Sequence, residues 1–166
     1  YKRDAITAAS FTEDGFFKTG DAGYIKNGEL FLKERIKDLF KTSNGKYIAP
    51  QQIEALLLVD KFVEQVAVIA DQRKFVSALI EDWARNNGVK FDSHEDLCEN
   101  PKVRAMMKER IDTLQQTLSH YEQIKRFTLL PKPFTMENGE LTNTLKLRRP
   151  QVSKNYKELI DKMYEE

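Results

Sequence analysis

Three segments of this sequence hold charged and hydroxyl side chains at spacings that suit chemistry on oxygen. In Lys18-Thr19-Gly20-Asp21 a carboxylate follows a glycine turn. A charged acceptor there can take two hydrogen bonds from a diol. In Arg35-Ile36-Lys37-Asp38-Leu39-Phe40-Lys41-Thr42-Ser43-Asn44-Gly45-Lys46, cations alternate with apolar residues around a turn. Such a basic hairpin can meet phosphate. It is not a phosphate-binding P-loop, because the spaced glycines of that motif are absent. In Leu141-Thr142-Asn143-Thr144-Leu145-Lys146-Leu147-Arg148-Arg149, one lysine stands between two leucines in a polar stretch. A loop lysine can deliver a point charge to a phosphoryl or carboxylate oxygen. Each segment also has a plainer account: an Asx-type turn, a solvated hairpin and a basic surface loop.

Other chemistries lack their residues. Cys98 is the only cysteine and lies in the acidic run Glu95-Asp96-Leu97-Cys98-Glu99, which works against a thiolate nucleophile. His94 and His120 are too few and too far apart in sequence to suggest a metal site. No Ser/His/Asp or Cys/His arrangement can be built.

The elements that must position these segments follow from periodicity. Asn27-Gly28 between Gly23-Tyr24-Ile25 and Glu29-Leu30-Phe31-Leu32 predicts a β-hairpin, and Asn44-Gly45 predicts a second. Pro50 opens a helix with Ile53, Leu56 and Leu57 as its stripe. Val63–Ile69 and Phe75–Ile80 read as an antiparallel strand pair joined by Asp71-Gln72-Arg73-Lys74. A short helix is expected around Asp82–Asn87. Asn100 caps a long helix opened by Pro101, with Val103, Met107, Ile111, Leu114, Leu118 and Tyr121 on one face through residue 121. Phe127–Leu130 reads as a strand in the same small sheet. Residues 131–150 read as a loop turning at Asn138-Gly139, and Tyr156, Leu159, Ile160, Met163 and Tyr164 mark one C-terminal helix. The expected fold class is α+β: a small mixed sheet with packed helices, preceded by a short β-rich piece.

Composition agrees with a folded chain. The 166 residues are 40% hydrophobic and 32% charged, with a formal net charge of +1. That balance gives no reason to expect nucleic acid. No apolar run approaches the ~20 residues that span a bilayer. The chain opens on Tyr1 in a charged stretch, so an excised fragment of something larger is expected. The single cysteine makes a reduced, cytoplasmic setting the default.

Taken in order, the three segments resemble the adenylate-forming superfamily of acyl-CoA synthetases, adenylation domains and luciferases. Residues 11–21 look like its Thr-Gly-Asp motif, residues 35–54 like its hinge and following hairpin, and residues 141–149 like its C-terminal lysine motif. The wording Lys-Thr-Ser-Asn-Gly-Lys-Tyr-Ile-Ala-Pro and Leu-Thr-Asn-Thr-Leu-Lys-Leu is closest to long-chain fatty-acid:CoA ligases. The resemblance implies residues 1–36 as the β-rich end of a large N-terminal domain and 37–166 as a mobile C-terminal α+β domain. It implies that Asp21 and Arg35 serve the ribose of the nucleotide. Gly45 and Lys46 would belong to the CoA-facing hairpin, Lys37 would be the hinge, and Lys146 would contact carboxylate and α-phosphate during adenylation. ATP, CoA and Mg²⁺ would be bound mainly by the N-terminal domain, and a long-chain fatty acid would be the substrate.

The fragment alone is expected to be inactive, and the whole enzyme leaves room for peripheral membrane contact. Relatives often carry Gly or Asp at Glu34, a first glycine at Asn44, proline at Asn143 and Gly-Lys at Leu145-Lys146. Asn44 is expected to tolerate a left-handed turn. Rival readings are a medium-chain or aryl acyl-CoA ligase or a fatty acyl-AMP ligase of the same superfamily, and a non-enzymatic nucleic-acid or protein-binding module.

Overall fold

The structure, a computed structural model, describes residues 3–82 and 93–165. The chain divides into two compact units, Tyr1–Leu39 and Phe40–Glu166.

The first unit opens with a short helix, α1 (Asp4–Ala9), which the sequence pattern does not announce and which buries no residue. An antiparallel hairpin follows, β1 (Asp21–Lys26) and β2 (Glu29–Arg35). Its turn is the expected Asn27-Gly28, and both residues have positive φ (54° and 83°), as the twist of a two-residue hairpin demands. Tyr24 stacks on Phe31 across the pair at 5.2 Å. A register shift at Ala22/Gly23 brings Gly23 so close to the Phe31 carbonyl that a Cβ there would sit 2.6 Å from it. The unit ends in a 3-10 turn, Ile36–Asp38.

The second unit is built on a three-stranded sheet. The small hairpin β3 (Phe40–Lys41) and β4 (Tyr47–Ile48) leads into α2 (Pro50–Leu57). Strands β5 (Val63–Ile69) and β6 (Val76–Asp82) pair antiparallel, and β7 (Ile124–Leu130) lies parallel to β6. The parallel return needs a crossover, which contains α3 (His94–Glu99) and α4 (Pro101–Leu114). Helices α5 (Arg149–Asn155) and α6 (Lys157–Lys162) close the chain.

The period-two pattern of the strands divides their side chains between two buried clusters. Val66, Val68, Ala78, Ile80 and Leu129 face one way, with Ile53, Leu57, Met107 and Ile111 from α2 and α4. Ala67, Leu79 and Leu130 face the other way, with Val152, Ile160 and Met163. The sheet is therefore covered on both faces by helices. Cys98 is buried in the first cluster.

Several boundaries differ from expectation. The long helix ends at Leu114 rather than running to 121. Gln115, itself buried, turns its amide to the start of β7, accepting from Ile124 N–H (2.8 Å) and donating to its carbonyl (3.3 Å). Leu118 still packs on the first cluster, but Tyr121 is exposed. The expected C-terminal helix is α6, and a separate helix, α5, precedes it, the two divided at Tyr156 (φ −107°, ψ 22°). The tyrosine is half-buried against Glu140, and burial, followed by that neighbouring carboxylate, pushes its phenol up to about 12. Helix α5 begins inside the expected loop because Pro150 suits a first turn, while only Val152 of its residues is buried, too few to show a period. The helix expected around Asp82–Asn87 lies outside the described residues apart from Asp82, which closes β6. Among the described residues no helix is long and apolar enough to cross a membrane.

Candidate functional site

Asp21 and Arg35 face each other as the first and last residues of the β1–β2 hairpin. The Arg35 Nε lies 3.0 Å from the Asp21 carboxylate, and its Nη1 donates to the Thr19 carbonyl at 2.9 Å. The Thr19 hydroxyl in turn accepts from the Asp21 N–H (3.2 Å), so the turn is held by threonine rather than by an Asx bond. The pair is largely exposed, with the carboxylate about 28% and the guanidinium 56% accessible. This leaves carboxylate lone pairs open to a diol. Lys37 lies in the exposed 3-10 turn just before the division between the units.

Gly45 and Lys46 occupy the β3–β4 hairpin. The Thr42 N–H donates to the Lys46 carbonyl (2.9 Å), the Gly45 N–H to the Thr42 carbonyl (2.9 Å), and the Lys46 N–H to the Thr42 hydroxyl (3.1 Å). Gly45 takes the left-handed position, φ 76°. Asn44 does not, so its tolerance of that conformation is not called on: the glycine beside it takes the position without strain. The Lys46 ammonium sits over the Tyr121 ring at 5.5 Å.

Lys146 stands on a second hairpin with the same frame. The Thr142 N–H donates to the Lys146 carbonyl (2.8 Å), the Leu145 N–H to the Thr142 carbonyl (2.9 Å), and the Lys146 N–H to the Thr142 hydroxyl (3.1 Å). Leu141 and Leu147 bridge its stem, as Lys41 and Tyr47 pair in the first. A third copy lies at Thr12–Phe16, with Gly15 left-handed and Phe11 bridged to Phe17. The shared signal is a threonine followed three residues later by a left-handed residue. Reading 131–150 as one loop misses it, since Leu145 hides the position that glycine marks elsewhere.

The Lys146 hairpin is rooted at both ends. On its entry side Glu140, 1% exposed, accepts from the Thr135 N–H (2.9 Å) and the Asn155 amide (3.0 Å). On its exit side Arg149 grips Glu54 of α2 with two bonds of 2.6 and 2.7 Å. Glu54 also accepts from the Val68 N–H at 2.8 Å. Between these roots the Lys146 side chain is exposed, and no described residue pairs with its ammonium. An unpaired ammonium on a fixed backbone can serve developing negative charge on oxygen.

The structure thus brings together Asp21 with Arg35, and Gly45 with Lys46, and sets Lys146 on its own hairpin. Among the described residues no group of three His, Cys, Asp or Glu side chains could hold a metal ion. A groove of about 500 Å³ lies elsewhere, between α4, β7 and α6, and none of Asp21, Arg35, Lys37, Gly45, Lys46 and Lys146 lines it.

Comparison with known proteins identifies the family. The family model "AMP-binding enzyme C-terminal domain" matches residues 37–166. Long chain acyl-CoA synthetase 7, peroxisomal, of Arabidopsis thaliana is 37% identical over all of this chain and 25% of its own length. Human long-chain-fatty-acid–CoA ligase 1 is 34% identical over 98% of this chain and 25% of its own. The adenylation domain of carboxylic acid reductase from Segniliparus rugosus, solved with AMP and a co-purified carboxylic acid, superposes with a TM-score of 0.76 at 28% identity, over 99% of this chain and 26% of that one. The chain spans about a quarter of the length of the curated relatives it matches. With the matched domain and the likeness to long-chain synthetases on one chain, it belongs to the AMP-binding, adenylate-forming enzymes and carries their C-terminal domain.

Proposed function

We propose that this chain is the C-terminal part of an ATP-dependent long-chain fatty-acid:CoA ligase. Residues 1–36 would close a large N-terminal domain, and 37–166 would swing against it about Lys37. The exposed Phe16, Phe17, Ile25, Leu30 and Leu32 of the first unit support the domain reading, since a lone two-stranded hairpin is marginal and these side chains suit a missing partner surface.

The reaction has two halves. A fatty carboxylate oxygen attacks the α-phosphorus of ATP, forming acyl-AMP as pyrophosphate leaves. The thiolate of CoA then attacks the acyl carbon, and the bond to AMP breaks. Asp21 would accept the ribose hydroxyls while Arg35 fixes its carboxylate. Lys146 would set its ammonium against carboxylate and phosphoryl oxygens as charge builds there. For the second half the domain would rotate, withdrawing Lys146 and presenting the Gly45–Lys46 hairpin to CoA. Mg²⁺ would accompany the nucleotide, held mainly by the N-terminal domain. A long-chain acid partitions into bilayers, so the reading includes peripheral contact of the whole enzyme with a membrane.

The observation that carries this reading is the unpaired ammonium of Lys146 on a hairpin rooted at both ends. In the complete enzyme Lys146→Ala should slow acyl-adenylate formation by at least ~100-fold. Transfer from supplied acyl-adenylate to CoA should slow far less. Equal slowing of both halves would remove the domain swing, and an unchanged first half would remove Lys146 from the site.

A further inference from the structure

The Lys146 hairpin departs from its two counterparts at the left-handed position. Gly15 and Gly45 hold it in the others; here it is Leu145, at φ 59°. The Cβ of leucine meets the following carbonyl in that conformation, a strain glycine does not have. Packing within the described fold does not account for it. The Leu145 side chain is 68% exposed and joins neither core cluster, whereas Leu141 and Leu147 on either side of the turn pack on the second cluster. One short segment therefore has two leucines that serve the fold and one that is strained and exposed. That one directly precedes the unpaired ammonium.

Strained residues persist where their surroundings or their use require them. We infer that Leu145 is a contact residue for the acid substrate, laying its side chain on the alkyl part next to the reacting carboxylate while Lys146 holds the oxygens. This rests on the reading of Lys146 given above. The acyl-adenylate is a mixed anhydride open to water: attack at the acyl carbon breaks its bond to the AMP oxygen, releases AMP and returns the fatty acid, the proton going to solvent. An apolar cover beside that carbon displaces water and strengthens the neighbouring ammonium.

The test uses the complete enzyme with Leu145→Gly, Leu145→Asn, Leu145→Met and Lys146→Ala. Leu145→Gly relieves the backbone, so its melting temperature should not fall. It should nevertheless form acyl-adenylate about tenfold more slowly, the scale of a lost apolar contact. It should also release more AMP per thioester made. Leu145→Asn, which tolerates the left-handed backbone but is polar, should lose rate likewise, and Leu145→Met should stay near wild type. Adenylate formation and AMP release unchanged in Leu145→Gly or Leu145→Asn would overturn the contact, as would Leu145→Met being as slow as Leu145→Gly. Lys146→Ala separates the two claims. If it abolishes adenylation while Leu145→Gly does nothing, only this inference fails. If it leaves adenylation intact, the reading of the site fails.

Discussion

Around Thr42 the hairpin leans on its neighbours. The Ser43 N–H and hydroxyl both donate to the Arg73 carbonyl (3.0 and 3.2 Å), and the Gln72 N–H donates to the Lys41 carbonyl (2.9 Å). Thr42 itself is buried, and the Lys46 ammonium lies on Tyr121. Around Thr142 the same backbone stands with its tip exposed and is held at its stem, by the packed Leu141 and Leu147, by Glu140 and by the Glu54–Arg149 pair. The difference separates two ways of placing a lysine. One supports the turn along its length; the other anchors the stem and leaves the tip free to enter another surface.

Cutting a root should have the largest effect on this contrast. Arg149→Met leaves the Glu54 carboxylate buried with only the Val68 N–H against it, and should cost about 3–5 kcal/mol in urea unfolding of this chain. Adding Glu54→Gln should restore part of that loss. A change under about 1 kcal/mol would mean that the pair does not anchor the hairpin.

Exchanging the left-handed residues comes next. Gly45→Leu has space for the side chain, since nothing lies within 4 Å of a Cβ built there. Its φ should still cost about 1–2 kcal/mol. Leu145→Gly should change stability in the opposite direction, by at most ~1 kcal/mol. Thermal melts of both variants decide whether the two frames are energetically alike.

The threonines should respond unequally. Thr42→Val strands the Lys46 N–H in a half-buried turn and should cost about 1–2 kcal/mol, while the more exposed Thr142→Val should cost less, since water can replace the hydroxyl. Equal losses by chemical denaturation would erase the distinction drawn between supported and free tips.

The smallest effect concerns the root at Glu140 and depends on pH. Tyr156 is held neutral in the fold up to about 12, against 10.0 for a free phenol. Its contribution is complete below the unfolded value and is lost as pH rises from about 10 towards 12. Tyr156→Phe should therefore lose less stability than wild type over that interval, and identical pH profiles of the melting temperature would contradict the assignment.

The sequence by itself determined what depends on neighbours along the chain. Alternation in 63–69 and 76–80 fixed which side chains face which cluster, Asn27-Gly28 fixed its hairpin, and the segments around Asp21, Gly45 and Lys146 were legible as chemistry before any fold was known. What only the tertiary structure decided was where periodic elements stop and which residues hold the site's frame. The helix after Pro101 ends at Leu114 because the Gln115 amide meets a strand nine residues on, and α5 gives way to α6 where Tyr156 meets Glu140. The partnership of Glu54 with Arg149, 95 residues apart, leaves no periodic trace, because a bond between distant side chains imposes no spacing on the chain between them.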